Sequence, residues 1–581
     1  MNGRRSGMTK NNPVQGIGAC LVVLATLANL LLLGCTPSRY RKSADDEVYK
    51  ILGNRSEGVL GARLDSSIDT TFSSRSPSDV NGSEIIFDRN QSVPDRFLSL
   101  RETLDLAVKA NRSYQYNREK LYLQALSLTG TRHQFAFKFT SASADFGFAR
   151  DTDGDVSKES DADATVSKLL KTGGTLTASL ANDLVLYFNG KPKVPSLTMS
   201  LAKPLLRGAG ADIASEILTQ AERDVVYEIR TFSHFQKEFA VEVVNDYLDL
   251  LQQGESLRLS YNNYTNRIFF REEIEARVEA GLAAEFEAKQ AKQSEYSSKL
   301  AYLSAINTFQ TSLDDFKQKL SLPLGGGVRL DFKVLEDLKE LGLPQIPVTE
   351  ATGYRLATTN RLDVLNVIDQ FEDSKRKVKV ARQDLLPSLS LVADVSLKDQ
   401  FYSSFEHREN SRNAGLKIDL PLDQLPERNA YRSSLIAFER QMRTLAKELD
   451  NLLDGIRADL RNLKLQRQNY FTELEARKNA EENLQATQQR LRVGFPGVRT
   501  RDIITAQDAL LQAQLSVSRA SVRYHKIRLK ILKDMGILDT SQDEFWLKEF
   551  QVPGAEPVLP APPGGAPEDV IPPDDILGEQ P

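Results

Sequence analysis

Residues 277–282 read Arg277-Val278-Glu279-Ala280-Gly281-Leu282, and residues 490–495 read Arg490-Leu491-Arg492-Val493-Gly494-Phe495. Each is an arginine, three helix-compatible residues, a glycine and a large apolar residue. Glycine accepts positive φ, so each stretch suits a sharp reversal at the end of a helix. The flanking sequence makes those reversals decisive. No proline occurs from Leu205 to Leu322, nor from Glu427 to Phe495. Before the first turn, Leu218, Ala221, Val225, Ile229, Phe232, Phe235, Phe239, Val243, Tyr247 and Leu250 recur in steps of three and four. Before the second, Leu435, Phe438, Met442, Leu445, Leu449, Leu452, Ile456, Leu460 and Leu463 do the same. Such stripes are the seams of long amphipathic helices. A helix from about 211 to 279 is on the order of 100 Å long at 1.5 Å per residue. A globular core has no use for that length. The segments after the glycines, about 284–320 and 500–535, must fold back as partner helices.

The two turns belong to a repeat of about 230 residues, which implies a duplicated half-protein rather than a solenoid. Each half opens on a helix with Asn-Arg (Asn111-Arg112; Asn360-Arg361), becomes β-rich and passes a Pro-Leu corner (Pro204-Leu205; Pro421-Leu422). Each then enters its long helical tract. After the turn each carries a glutamine (Gln293; Gln507) and closes near a glycine (Gly325; Gly536).

The β segments alternate. Leu389, Leu391, Ala393, Val395 and Leu397 face one way and Ser388, Ser390, Asp394 and Ser396 the other. Leu197, Met199 and Leu201 alternate with Ser196, Thr198 and Ser200, and Leu416, Ile418, Leu420 and Leu422 with Lys417 and Asp419. Period two puts one face against something apolar and the other against water. A soluble sandwich and a membrane barrel both satisfy this. Small polar residues opposite, and aromatics near strand ends (Phe146, Phe148, Tyr187, Phe188, Phe401, Tyr402), favour a barrel. Two good strands per half (roughly 135–148 and 195–203; 388–398 and 414–422) give four, with Thr175–Phe188 an unplaced extra. Four strands cannot close a barrel, since membrane barrels begin at eight. An open edge in a bilayer leaves backbone groups unpaired at several kcal/mol each. Closure must come from further copies, and three protomers give twelve strands.

The N-terminus supplies an address. A basic, acid-free start (Arg4, Arg5, Lys10) precedes the apolar run Ile17–Leu33, the layout of a secretory signal. It ends in Leu32-Leu33-Gly34-Cys35, which resembles a bacterial lipobox, making Cys35 the lipid (palmitate-bearing) attachment site. The competing reading, an uncleaved anchor, sits at the lower limit of span length. Cys20 lies within the signal, so the mature chain keeps one thiol and can build neither a disulfide framework nor a cysteine metal site. The net charge is −4. Removing the three leader cations makes the remainder more acidic, and no basic stripe points to nucleic acid. Residues 36–97, rich in Ser, Asp, Gly and Arg, read as a tether with one short amphipathic piece, Ala44–Ile51. Residues 552–581 carry nine prolines and too little apolar surface to offset ordering.

Enzymatic readings fail. His133, His234, His407 and His525 share no metal-ligand spacing. Phosphate loop, serine elbow and CxxC motifs are absent from the sequence, and Gly208-Ala209-Gly210 lacks the rest of a dinucleotide fingerprint. No cofactor or metal is expected.

The order signal, helix, strand hairpin, long helix, Arg-x-x-x-Gly turn and return helix, all duplicated, resembles the TolC-like outer membrane efflux proteins over roughly residues 98–540. The stretch Arg277–Glu287 resembles that family's first periplasmic tip. Arg490–Phe495, with Thr500 and Asp502, resembles the second, lengthened by about two residues at Phe495–Arg499. The resemblance implies an α+β membrane protein of lipoprotein type: a trimeric 12-stranded β-barrel, four strands per protomer, continued by an α-helical coiled-coil barrel. It further implies a passive homotrimeric duct in the outer membrane of a diderm bacterium. The tips of such a duct meet a periplasmic adaptor linked to an inner-membrane efflux pump or an ABC (type I) exporter. Arg277, Gly281, Leu282, Arg490, Gly494 and Phe495 are the expected tip and adaptor-contact residues, Leu282 and Phe495 serving either as docking knobs or as capping contacts. Glu285, Glu287 and Asp502 are either gate acids, forming rings where three copies converge, or solvated helix faces. Arg277 and Arg490 would pair with tip acids and hold the closed state. The expected organisation is a signal peptide (1–34), lipidated tether (35–97), first repeat (98–325), linker (326–345), second repeat (346–540) and Pro-rich acidic tail (541–581). Two rivals from other classes are a periplasmic adaptor lipoprotein, which has one hairpin rather than two, and a structural coiled-coil envelope protein, which lacks duplicated strands.

Overall fold

The computed structural model describes residues 36–90, 95–150, 156–186, 196–399, 408–495 and 497–548. Cys35, the signal segment, the tail beyond 548, and Tyr187, Phe188, Phe401 and Tyr402 lie outside them. Among the described residues no helix is long and apolar enough to cross a membrane.

The first half runs α1 (Pro37–Leu60), α2 (Gly82–Arg89), β1 (Arg96–Leu98), α3 (Leu100–Ala110), α4 (Arg112–Gln134), β2 (Phe137–Arg150), β3 (Val156–Leu169), β4 (Thr175–Leu186), β5 (Ser196–Pro204), α5 (Glu216–Glu279) and α6 (Glu285–Lys319). The second runs β6 (Val328–Leu330), α7 (Lys333–Leu341), α8 (Glu350–Asn360), α9 (Leu362–Gln383), β7 (Ser388–Asp399), β8 (Arg408–Asp419), α10 (Leu425–Arg492) and α11 (Thr500–Asp534). At 64 and 68 residues, α5 and α10 are each about 100 Å long. The four long helices lie side by side in the order α6, α5, α11, α10.

The predicted seam of α5 is its buried face. Leu218, Val225, Ile229, Phe232, Phe239, Val243, Tyr247 and Leu250 are buried, with Ala221 and Phe235 packed against them. Tyr114 of α4 fills the stripe opposite Phe232, Phe235 and Phe239, with ring centroids 5.2–5.9 Å away. Midway along α5, the Tyr247 hydroxyl donates to Leu98 O at 2.8 Å and accepts from Asp331 N at 2.9 Å. It thereby fastens the short parallel pair β1–β6 to the rod. The segment read as a tether is ordered from Pro37: α1 buries Val48, Ile51 and Leu52, and Tyr122 of α4 donates to Asp45 at 2.6 Å.

Nearer the sheet the halves are tied by charge. Buried Asp373 of α9 receives Arg223 Nε at 2.6 Å, Arg376 Nη1 at 2.8 Å and the Tyr227 hydroxyl at 2.6 Å.

The other described strands form one antiparallel sheet, β2-β3-β4-β5-β7-β8. The duplicated architecture stands, and among the described residues the sheet of one chain holds six strands, two beyond the four expected of the wall. The extra hairpin is β3–β4, and Thr175–Leu186 finds its place there. β3 escapes sequence reading because Val156–Leu169 is mostly Ser, Asp, Ala and Lys, with no large apolar alternation. In β2 a register irregularity between Phe139 and Ser141 coincides with a shift of the bulky residues from odd positions (Phe137, Phe139) to even ones (Phe146, Phe148). The register carries apolar rows across the sheet: Phe139, Val166, Ala178, Met199 and Val395 are successive partners, and so are Leu176, Leu201, Ala393 and Ala414. Phe137, Phe139, Leu180, Met199, Leu416 and Ile418 are all exposed, for among the described residues no second layer covers this face.

Candidate functional site: the paired helical tips

At the end of α5, Leu282 N donates to Arg277 O at 2.8 Å and Gly281 N to Val278 O at 2.9 Å, with Gly281 at φ 73°. At the end of α10, Phe495 N donates to Arg490 O at 2.9 Å and Gly494 N to Leu491 O at 3.1 Å, with Gly494 at φ 69°. Both are Schellman motifs, in which a left-handed glycine lets two amides reach back to helix carbonyls. The repeated spacing is thus a backbone requirement. The arginine supplies a carbonyl five residues before the amide that closes the ring.

The turns leave apolar side chains in solvent. Leu282 is 71% exposed and Val493 78%, and Phe286 and Phe495 stand out beside them. Leu282 and Phe495 therefore do not bury themselves in capping contacts. Val493 and Phe286 complete a patch that sequence reading had not assembled.

Behind the turns the hairpins meet. Phe270 and Ile274 of α5, Ala291 of α6, Leu491 of α10 and Ile503 of α11 form a small buried cluster. Polar bonds flank it. Arg277 Nη2 donates to Leu491 O at 3.1 Å, and the buried Thr500 hydroxyl to Glu287 Oε2 at 2.7 Å. Arg271 reaches Glu295 of α6 and Glu275. Further along, Arg267, 1% exposed, pairs with Asp508 at 2.6 Å and donates to Ile504 O at 3.0 Å. Burial pulls its pKa down from the usual arginine value, and Asp508 counters that.

The expected gate acids are dispersed within one chain. Glu287 bridges the hairpins through Thr500. Asp502 accepts from Arg499 N at 2.9 Å at the start of α11. Glu285 pairs with Lys289 at 3.0 Å, both exposed. Nor do the arginines take acids: Arg277 binds a carbonyl, and among the described residues no carboxylate of the same chain lies in ion-pair range of Arg277 or Arg490. Among the described residues the charged tie between hairpins nearest the tips is Arg267–Asp508, which sequence reading missed. A signal existed, because Arg267, Phe270 and Ile274 occupy one helical stripe, and a cation there is out of pattern. No group of metal ligands occurs among the described residues.

Residues 353–536, nearly all of the second repeat, match the sequence model of the outer membrane efflux protein family. Solved channels share the fold over about three quarters of this chain. Crystal structures of CusC superpose with a TM-score of 0.56 at 12% identity, over 75% of this chain and 92% of that one. The outer membrane channel CmeC of Campylobacter jejuni gives 0.52 at 16%, over 76% and 87%. The open-state channel MtrE of Neisseria gonorrhoeae gives 0.54 at 12%, over 75% and 89%. No curated protein matches the chain.

Proposed function

We propose that this chain, whose fold and second repeat are those of the outer membrane efflux proteins, is one subunit of a homotrimeric exit duct in the outer membrane. The single observation that carries this reading is a one-layer sheet with an exposed apolar face, joined end-on to helices about 100 Å long. A lone chain can satisfy neither part. Among the described residues the sheet has unpaired edges, and toward the sheet the α10 seam is only half-covered, with Met442 47% exposed. Copies in a ring supply both. The duct conducts passively and is no enzyme.

The finer assignments follow the same logic. Cys35 anchors the mature chain through lipid to the membrane that holds the sheet. The patch Leu282, Phe286, Val493 and Phe495 is the docking surface for a periplasmic adaptor, which joins the duct to an inner-membrane efflux pump or an ABC exporter. Gly281 and Gly494 shape that surface, while Arg277 and Arg490 lend it their carbonyls. Three copies bring Glu285, Glu287 and Asp502 toward the axis, where like charges favour cations and resist closure. Detergent-purified full-length protein should migrate as a heat-modifiable trimer and give discrete conductance steps in planar bilayers. Cys35→Ala should abolish lipid labelling. A water-soluble monomer, silent in the bilayer, defeats the proposal.

A further inference from the structure

We infer that Arg519 and Arg523 of α11 line the inner wall of the duct as a ring of unpaired guanidinium groups, which draws anionic solutes bearing carboxylate or phosphate into the tunnel. The inference rests on the trimeric duct proposed above and names the class of solute it favours.

Two polar columns face each other between the hairpins. On α11, Arg519, Arg523, Lys526, Lys530 and Lys533 recur in steps of four and three. On α5, Glu238, Glu242, Asn245, Asp249 and Gln252 do the same. The helices run antiparallel: Lys533 pairs with Glu238 at 3.5 Å, Lys526 with Asp249 at 2.6 Å, and the Ser518 hydroxyl donates to Glu255. A groove of about 630 Å³ lies between the columns.

The columns are not matched in charge. The acids of α5 are all taken, Glu238 and Asp249 by those lysines and Glu242 by Lys319 of α6. Lys530 takes Asp459 of α10 and Asp534. Toward the tips the α5 column ends in Gln252, where α11 presents Arg523 and Arg519. The nearby Glu255 is held by Ser518 and Lys339. Among the described residues neither Arg519 nor Arg523 has a hydrogen-bond or ion-pair partner, and both are exposed. Two guanidinium groups one helical turn apart are left over.

Their side of the helix layer is the inner one. The Tyr524 hydroxyl donates to Pro344 O at 2.6 Å, and Arg528 Nη1 to Trp546 O at 3.3 Å. On α5, Phe239 packs on Tyr114 of α4 and Tyr247 fastens the β1–β6 pair. At about 100° per residue, Arg519 and Arg523 lie on the opposite side of α11, and Asn245 and Gln252 on the opposite side of α5. One face of the layer is therefore covered, and the groove opens on the other. A ring of about twelve helices spaced by about 9 Å, four from each copy, leaves an inner radius of about 12 Å. Three copies of the covering layer do not fit in that space. The layer lies outside and the groove inside.

In a trimer the two arginines of each copy then stand at one level of the wall. The Debye length, about 10 Å at 0.1 M salt, is comparable with the inner radius, so their fields overlap at the axis. Rings of arginine or lysine favour anions, and the planar guanidinium fits the paired oxygens of carboxylate and phosphate.

Reversal potentials of the full-length protein in planar bilayers, under a gradient of potassium phosphate at low ionic strength, test the ring. One variant combines Arg519→Gln with Arg523→Gln, the other Arg519→Lys with Arg523→Lys, and heat-modifiable migration certifies assembly of each. The phosphate-to-potassium permeability ratio should fall severalfold in the glutamine variant. It should stay near the wild-type value in the lysine variant, which keeps the charge. An unchanged ratio in a conducting glutamine variant overturns the inference and leaves the duct standing. So does an equal fall in the lysine variant, which would trace the change to packing rather than charge. Should the double glutamine variant fail to assemble, Arg519→Gln and Arg523→Gln singly carry the same test, each giving part of the fall. A silent wild-type protein sinks both readings.

Discussion

Arg267 of α5 and Asp508 of α11 make a 2.6 Å ion pair across the two hairpins, with the guanidinium buried and the carboxylate 60% exposed. Only one nitrogen is used, for Asp508 and for Ile504 O, while Nε and the other Nη lack partners. A buried arginine keeps its charge, so this cation depends on one carboxylate at the water boundary. Removing Asp508 strands it. Asp508→Ala should destabilise the hairpin contact by about 2 kcal/mol, below the range for a fully buried pair because Asp508 faces solvent. Arg267→Met, which removes the charge together with its orphaned donors, should cost less. Heat-induced unfolding of the detergent-solubilised protein ranks the two variants. In planar bilayers Asp508→Ala should also raise open-channel conductance, since the hairpins part more easily behind the tips.

Gly281 and Gly494 stand at φ 73° and 69° with open space where a Cβ would go. Alanine there meets no neighbour, so its cost is the left-handed backbone alone, about 1–2 kcal/mol per site. Gly281→Ala or Gly494→Ala should fray the tip without altering the sheet. Limited proteolysis should then cut near residues 280–284 or 493–499 severalfold faster. Unchanged cleavage would mean that the turn owes its shape to something other than the glycine.

Much of this was legible because helix and strand patterns are local. The α5 seam could be read residue by residue, since its partner α4 lies in the same chain. The α10 seam is buried at Leu452, Ile456 and Leu463, but toward the sheet it is half-covered, by contacts such as Phe371 on Phe438 at 5.6 Å. A stripe in the sequence shows that a face needs a partner without showing where that partner is. β3 was illegible because its small polar residues give no alternation. The two faces of such a strand look alike until the ladders place it. Arg267 was missed because a charge on a long helix reads as a solvated face unless its neighbours at i+3 and i+7 are weighed. The closing glycine of the first half was misplaced, for the residue equivalent to Gly536 is Ser321 and not Gly325.

That substitution of serine for glycine has a consequence. At the end of α11, Ile537 N donates to Leu532 O at 3.1 Å and Gly536 N to Lys533 O at 2.8 Å. At the end of α6, Leu322 N donates to Lys317 O at 2.9 Å and Ser321 N to Gln318 O at 3.0 Å. The motif is the same, but Ser321 holds φ 55° with a side chain attached, a conformation that disfavours residues other than glycine. Ser321→Gly should stabilise the protein by up to about 1 kcal/mol, after allowance for the greater freedom of glycine in the unfolded chain. A higher unfolding temperature without change in conductance is the expected result. A lower one would mean that the serine side chain contributes more than its backbone loses.

His525 on α11 is 1% exposed, and its ring has no well-formed hydrogen bond, only a weak contact with the Leu338 backbone. Burial, assisted by the Arg528 guanidinium, holds its pKa down at about 4, against about 6.5 in an unfolded chain. Above pH 6.5 the ring is neutral in both states and stability does not depend on it. Between 6.5 and 4 the unfolded chain takes up a proton that the folded one refuses, so stability falls as the medium is acidified. Below about 4 both states are charged and the loss levels off, on the order of 3 kcal/mol in all. His525→Phe keeps a ring beside Tyr524, which His525 meets edge-on at 5.7 Å, and removes the titration. Unfolding temperatures of the wild-type protein should drop between pH 6.5 and 4.5 by more than those of the variant, the two curves running parallel above pH 7. Parallel curves throughout would mean that the imidazole is protonated in the folded protein, and the burial argument for α11 would fail.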